Sequence, residues 1–171
     1  TLKHIFKGNK KLFKGLRIYH SDYDWQEYPV LHFDFSQILT RSSENLEDSL
    51  KRSLAKIAKD QGVFVDIPSS QEGMVNVIKA LSKKNRVVVL VDEYDKPIIN
   101  NLDVLDVAEE NRALMRDFFA ALKSLDPYLK FTFFTGVSKF SQVSIFSGLN
   151  NLKDITMNAK YAAMMGYTEE E

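Results

Sequence analysis

A chain of 171 residues, 44% apolar and 27% charged, is long enough to bury one core, so one globular domain is expected. Lys plus Arg and Asp plus Glu both number 23, which excludes a global basic field for recruiting nucleic acid or anionic membrane, and the lack of cysteine excludes disulfides and thiolate metal sites. With no signal peptide and no apolar run near the roughly 20 residues of a membrane span, the sequence predicts a soluble cytoplasmic protein without a membrane partner.

Leu2, Ile5 and Phe6, then Leu12, Phe13 and Leu16, fall at helical spacing, so residues 1–14 are predicted as the tail of a helix interrupted by Gly8 and stopped at Lys14-Gly15. Pro29 leads into a strand over Val30 to Ser36, with Leu31, Phe33 and Phe35 on one face. Ser42 or Ser43 caps a helix through Leu46, Leu50, Leu54 and Ile57 that ends at Gln61-Gly62. Val63 to Ile67 reads as a loop or one extended turn. Ser69 and Ser70 are caps for a second helix carrying Met74, Val77, Ile78 and Leu81. Val87 to Val91 are five apolar residues, mostly β-branched and without polar alternation, which predicts a strand buried on both faces. Lys96-Pro97 starts a short helical segment, and a longer helix runs from about Val107 to Leu125 with Leu114, Phe118, Leu122 and Leu125 inward. Lys130 to Thr135 is a third strand, Val137 to Asn151 an extended loop with a short helix, and Ile155-Thr156-Met157 a candidate fourth strand. Strands alternating with helices predict an α/β three-layer sandwich around a mainly parallel sheet. The helical pattern already under way at Thr1, and the capping box Thr168 to Glu171 with no helix after it, predict an internal fragment cut at both ends.

A parallel sheet brings its carboxyl strand ends to one edge, where ligands bind. That edge gathers Asp34 and Ser36, then Asp92, Glu93 and Asp95, then Thr135, Ser138 and Lys139. One carboxylate to hold Mg²⁺ and a second to orient or polarise water is what nucleoside-triphosphate hydrolysis needs. Taken singly, Asp92-Glu93 also fits helix capping or pairing with a lysine. His4, His20 and His32 are scattered and suggest no metal site. The basic run Lys7, Lys10, Lys11, Lys14 and Arg17 reads first as a solvated helix face, with nucleic-acid contact as the alternative. Trp25 and Tyr23 read as packing ahead of an interaction patch. Arg112 and Arg116 read as partners of nearby acids, with a finger across a subunit interface as the other option.

The run Leu90-Val91-Asp92-Glu93-Tyr94-Asp95-Lys96-Pro97, the upstream Tyr28 to Ser36, and the downstream Phe134 to Phe140 with Ser144 to Leu152 and Asp154-Ile155-Thr156 together resemble the predicted AAA-ATPase-like family of bacterial proteins. The resemblance implies a P-loop NTPase fold of the AAA/ASCE type. Asp92 would be the Walker B acid on the magnesium side and Glu93 the residue that activates water. Thr135, Ser138 or Lys139 would report on the γ-phosphate. It further implies ATP and Mg²⁺ as ligands of the intact protein, and a nuclease-like domain after the ATPase part or a homo-oligomer as partner. No G-x-x-x-x-G-K-[ST] occurs in the sequence, so no glycine loop cradles phosphates within residues 1–171. The 171-residue chain is therefore expected to be a domain fragment with the Walker B and sensor parts but without the P-loop strand, one edge of its sheet left open beside the sensor strand, and inactive by itself. Two rivals stand beside the ATPase reading: a nucleotide-dependent switch contacting protein or nucleic acid with negligible turnover, and, further off, a magnesium nuclease built on Asp34, Asp92 and Glu93.

Overall fold

The computed structural model describes residues 1–137, 145–146, 149 and 152–162. Among them three strands, β1 (Val30–Asp34), β2 (Val87–Asp92) and β3 (Leu129–Phe134), form one sheet in the order β1-β2-β3. Both pairings are parallel, Asp34 standing opposite Asp92 and Val91 opposite Phe134. β2 is therefore central, as its unbroken apolar run requires: Val87, Val89 and Val91 enter one core and Val88 and Leu90 the other. The α/β class and the parallel sheet follow the expectation from sequence.

The larger core lies between one face of the sheet and helices α2 (Ser43–Asp60), α3 (Ser70–Ser82) and α5 (Leu105–Ala120). Ser42 and Ser69 are the caps, each accepting from a backbone N–H three residues on (Asn45 at 3.2 Å, Glu72 at 3.1 Å). Leu46, Leu50 and Leu54 of α2 and Met74, Val77, Ile78 and Leu81 of α3 are buried at the helical spacing that the sequence shows. On the opposite face α1 (Leu2–Phe6) sets Leu2 and Phe6 against Tyr28, Val30, Val88 and Leu90. Helices thus cover both faces of the sheet.

Four predicted elements differ. The strand predicted through Ser36 stops at Asp34, whose carboxylate accepts from the Ser36 N–H at 3.0 Å and caps a 3-10 turn, Phe35–Gln37. The N-terminal helix is only α1; it gives way at Gly8 to two separate 3-10 turns, Lys10–Phe13 and Arg17–His20. Gly8 adopts φ +67°, and a Cβ there would stand 2.8 Å from the Trp25 carbonyl oxygen, so the chain must turn there and only glycine fits. The long helix starts two residues earlier than expected and tightens after Ala120 into a 3-10 run, Ala121–Tyr128, that contains Pro127; proline offers no N–H and forbids α-helix around itself. Ile155 to Met157 form no strand. The Asp154 carboxylate accepts from the Thr156 N–H at 2.9 Å and Asn158 N–H reaches Ile155 C=O at 3.1 Å, so local side-chain bonding wins and the segment turns.

Val63 to Ile67 resolves as an extended segment outside the sheet. Val63, Val65 and Ile67 pack against the core while Phe64 points away, 94% exposed. Of the predicted loop from Val137 to Asn151, the described Ile145, Phe146 and Leu149 are buried in the larger core.

Candidate functional site

Pairing of alternate residues puts Asp34, Asp92 and Thr135 on the same face of the sheet, at or just past the carboxyl ends of its three strands. The Thr135 hydroxyl donates to Asp92 Oδ1 in a short hydrogen bond. Backbone bonds set that geometry: Thr135 N–H reaches Val91 C=O at 2.9 Å and Tyr94 N–H reaches Thr135 C=O at 3.0 Å, extending the ladder past the last paired residues. The Asp92 carboxylate is exposed and makes no ion pair among the described residues.

Glu93 follows in the left-handed region, φ +55°, where a residue with a Cβ is strained. Only Trp25 shares this property among non-glycine described residues. The cost is on the order of 1–3 kcal/mol, and such outliers gather where function holds them. Glu93 Oε2 lies 3.8 Å from Lys96 Nζ, both side chains about one-third exposed. A pair that open contributes about 0–1 kcal/mol, so the lysine orients Glu93 without locking it.

Behind these two acids the turn is built to stay still. Asp95 is fully buried and its carboxylate accepts from the Val137 N–H at 2.8 Å, which ties the exit of β2 to the exit of β3. Asp95 C=O also receives Ile98 and Ile99 N–H at 3.0 Å, starting α4 (Lys96–Ile99). Tyr94 is buried against Phe146, ring centroids 4.8 Å apart. A Cβ on Gly136 would come within 2.5 Å of the Tyr94 ring, so glycine is needed beside Thr135. These are positioning contacts.

On β1 the Asp34 carboxylate accepts from Ser36 Oγ at 2.5 Å, Ser36 N–H at 3.0 Å and Gln37 Nε2 at 2.7 Å. The Ser36 hydroxyl is the main reason its pKa lies below the ordinary 3.8, with the Ser36 N–H, Gln37 and His32 adding to it. His32, two residues earlier on the same face, is held below its ordinary 6.5 by partial burial first and by Lys3 second, while Asp34 and Asp92 pull the other way. The signs agree. For each group the unfolded chain takes up the proton first, so each stabilises the fold above its unfolded pKa and loses that contribution as pH falls through the folded one. Urea midpoints followed against pH are expected to fall below about pH 6.5 and again below the ordinary Asp range. His32→Gln should flatten the first limb and Asp34→Asn the second; an unchanged profile in both would sink the assignment.

The site includes a clasp that the sequence reading passed over. Asn111, fully buried on α5, donates to Thr40 C=O at 2.8 Å and Pro97 C=O at 2.9 Å, and Asn101 donates to the same two carbonyls at 2.8 and 2.9 Å. The loops leaving β1 and β2 are thereby fastened to each other. A polar residue on the same helix face as Met115 and Phe118 was the available signal, since a buried amide needs such partners. Arg112 and Arg116 pair with Glu109 and Asp117, at 2.7 and 3.6 Å. Trp25 packs on Phe13 and Tyr23. Ser138 and Lys139, expected at this edge, lie outside the described residues. No group of three His, Asp or Glu among the described residues is arranged to hold a metal ion by itself. No described helix is long and apolar enough to cross a membrane.

A parallel α/β sheet that presents an acid pair and a hydroxyl at its carboxyl edge is the class that fold and site define. Within it, the chain belongs to the AAA-ATPase-like family, whose model, described as "Predicted AAA-ATPase", matches residues 1–146. It is 38% identical over 174 residues to a protein of Azotobacter chroococcum mcd 1 named "Uncharacterized protein in vnfD 5'region", all of this chain being covered. The chain spans about a third (34%) of that relative's length. No solved structure gives a significant match.

Proposed function

We propose that the intact protein binds and hydrolyses ATP with Mg²⁺, Asp92 holding the metal through its free oxygen or a water and Glu93 activating the attacking water. The observation that carries this reading is the Asp92–Thr135 pair next to a strained, half-open Glu93 at the carboxyl edge of the sheet. The donor set fits: Mg²⁺ keeps most of its waters and takes one or two carboxylates plus phosphate oxygens, so an exposed acid without a three-acid cage is the suitable protein ligand. When bound, the ion would neutralise charge developing between the β- and γ-phosphates. Thr135 orients the Asp92 carboxylate by donating to one oxygen and leaves the other facing the edge. Glu93 accepts a proton from water, with Lys96 Nζ 3.8 Å from one of its carboxylate oxygens. Ser138 and Lys139, just past Thr135 in sequence, are proposed as contacts to the γ-phosphate.

The fold is proposed to be that of a P-loop NTPase, with the phosphate-cradling loop supplied by residues before Thr1 in the longer protein. The direction of α1 supports this: Lys3 lies near enough to His32, two residues before Asp34, to act on the imidazole, while Phe6 lies against Tyr28 at the other end of the sheet. The amino end of α1 is therefore the end nearer His32. The reading is tested by Mg²⁺-dependent nucleotide binding to the intact protein. Asp92→Asn should weaken Mg·ATP at least tenfold and leave metal-free ATP affinity near its starting value. Equal losses with and without Mg²⁺, or no loss at all, would remove Asp92 from the metal.

A further inference from the structure

Charge along this neutral chain is sorted unevenly. Six of its 23 Lys and Arg, and none of its 23 Asp and Glu, fall within residues 1–21. Five of the six, Lys7, Lys10, Lys11, Lys14 and Arg17, lie on the hook that leads from α1 back to β1, and all five are exposed. None forms an ion pair among the described residues. The nearest acids in sequence do not neutralise them: Asp22 and Asp24 line a cleft of about 300 Å³ with Phe6, Tyr23, Tyr28 and Lys130.

The hook is held in shape. Its two 3-10 turns are joined through Gly15 at φ +89°, Phe13 is buried against Trp25 at 5.2 Å between centroids, and the Lys10 ammonium sits 5.2 Å above the Tyr19 ring. Its backbone is anchored at the amino ends of the strands, where Tyr28 N–H meets Phe6 C=O at 2.8 Å and Asn85 Nδ2 meets Glu27 C=O at 3.0 Å. That is the opposite edge of the sheet from Asp92 and Glu93. Cations kept unpaired on a fixed scaffold repel one another, which costs stability unless a polyanion covers them.

We propose that this hook, from Lys7 to His20, is a docking surface for the phosphate backbone of a nucleic-acid strand. Charge complementarity selects the partner. Five exposed cations within eleven residues, on two short turns, suit a run of phosphates, and the half-buried Tyr19, with the Lys10 ammonium over one face and exposed His20 beside it, offers rings at the same place for bases to stack upon. A bilayer asks for something else: an amphipathic helix with aromatic and apolar side chains free to insert. Here the helical pieces are four residues long and Phe13 is turned inward, leaving Leu12 and Leu16 as the large exposed apolar side chains of the segment.

The experiment is a titration of the intact protein against a fluorescent 20-nucleotide single strand from 50 to 200 mM salt. With about four phosphates neutralised at a slope near −0.7 each, affinity should fall about 50-fold over that range. Replacing Lys11, Lys14 and Arg17 together by Glu should weaken binding at 50 mM salt at least tenfold and flatten the salt dependence, with an unchanged melting temperature as the control for folding. The salt slope of the unaltered protein is a second readout that needs no variant. No binding at 50 mM salt, a slope near zero, or a charge-reversed protein that binds as before would overturn the proposal. So would displacement of the oligonucleotide by phosphatidylserine-containing vesicles, which would assign the surface to lipid.

Discussion

Glu93→Gln in the intact protein is expected to lower the rate of ATP hydrolysis by about 10²–10⁴-fold, the usual loss when a general base is removed, while nucleotide still binds. The substitution is nearly isosteric, keeps the same Cβ at φ +55°, and so leaves the backbone strain and the Asp92–Thr135 bond as they are. What it removes is the negative charge and the attraction to Lys96 at 3.8 Å, which contributes little to stability at that exposure. Single-turnover hydrolysis and equilibrium binding of a labelled nucleotide separate the two effects. Turnover that survives the change would place the base elsewhere; tight binding with negligible turnover already in the unaltered protein would favour the nucleotide-switch reading. The 171-residue chain, which holds no G-x-x-x-x-G-K-[ST], is expected to show no turnover in either form.

Phe119→Ala should cost about 3–5 kcal/mol, the range for deleting a buried aromatic ring. Phe119 is fully buried where four elements meet, with ring centroids 6.2 Å from Phe35 after β1, 5.1 Å from Phe118 on α5, 5.1 Å from Phe134 on β3 and 5.6 Å from Phe146. Phe146 in turn packs at a tilt on Phe134 at 4.6 Å and on Tyr94 at 4.8 Å, so the cavity opens one ring away from the turn that carries Glu93. The loss should appear in the urea midpoint, with Phe64→Ala, 94% exposed, staying within about 0.5 kcal/mol as the control. A loss near 1 kcal/mol for Phe119→Ala would mean that the aromatic cluster collapses onto the gap.

Some elements are legible because one local signal suffices. Ser42 and Ser69 cap their helices, and Leu46, Leu50 and Leu54 mark the buried stripe of α2 without help from anything distant. Others are decided by competition. The segment 155–157 has strand-like residues, yet the Asp154 carboxylate takes the Thr156 N–H and the segment turns. Helical spacing continues past Gly8, but the approach of Trp25 from across the hook forces the chain out of the helix. The Asn111 and Asn101 clasp depends on the Thr40 carbonyl, 71 and 61 residues away, which no spacing rule encodes.

The sequence by itself determined that β2 is central, because five apolar residues in a row can be buried only with neighbours on both faces, and that its carboxyl end delivers Asp92 and Glu93 to one edge. It also marked family membership through motifs that need only be read in order. Tertiary structure decided what those residues are to each other. Register places Asp34 opposite Asp92, and the Thr135 hydroxyl reaches across the sheet to Asp92. The turn holds Glu93 in a left-handed conformation that its own preferences oppose. Such choices belong to pairing between strands dozens of residues apart, where long-range packing and hydrogen bonds outweigh local preference and only the assembled sheet can express them.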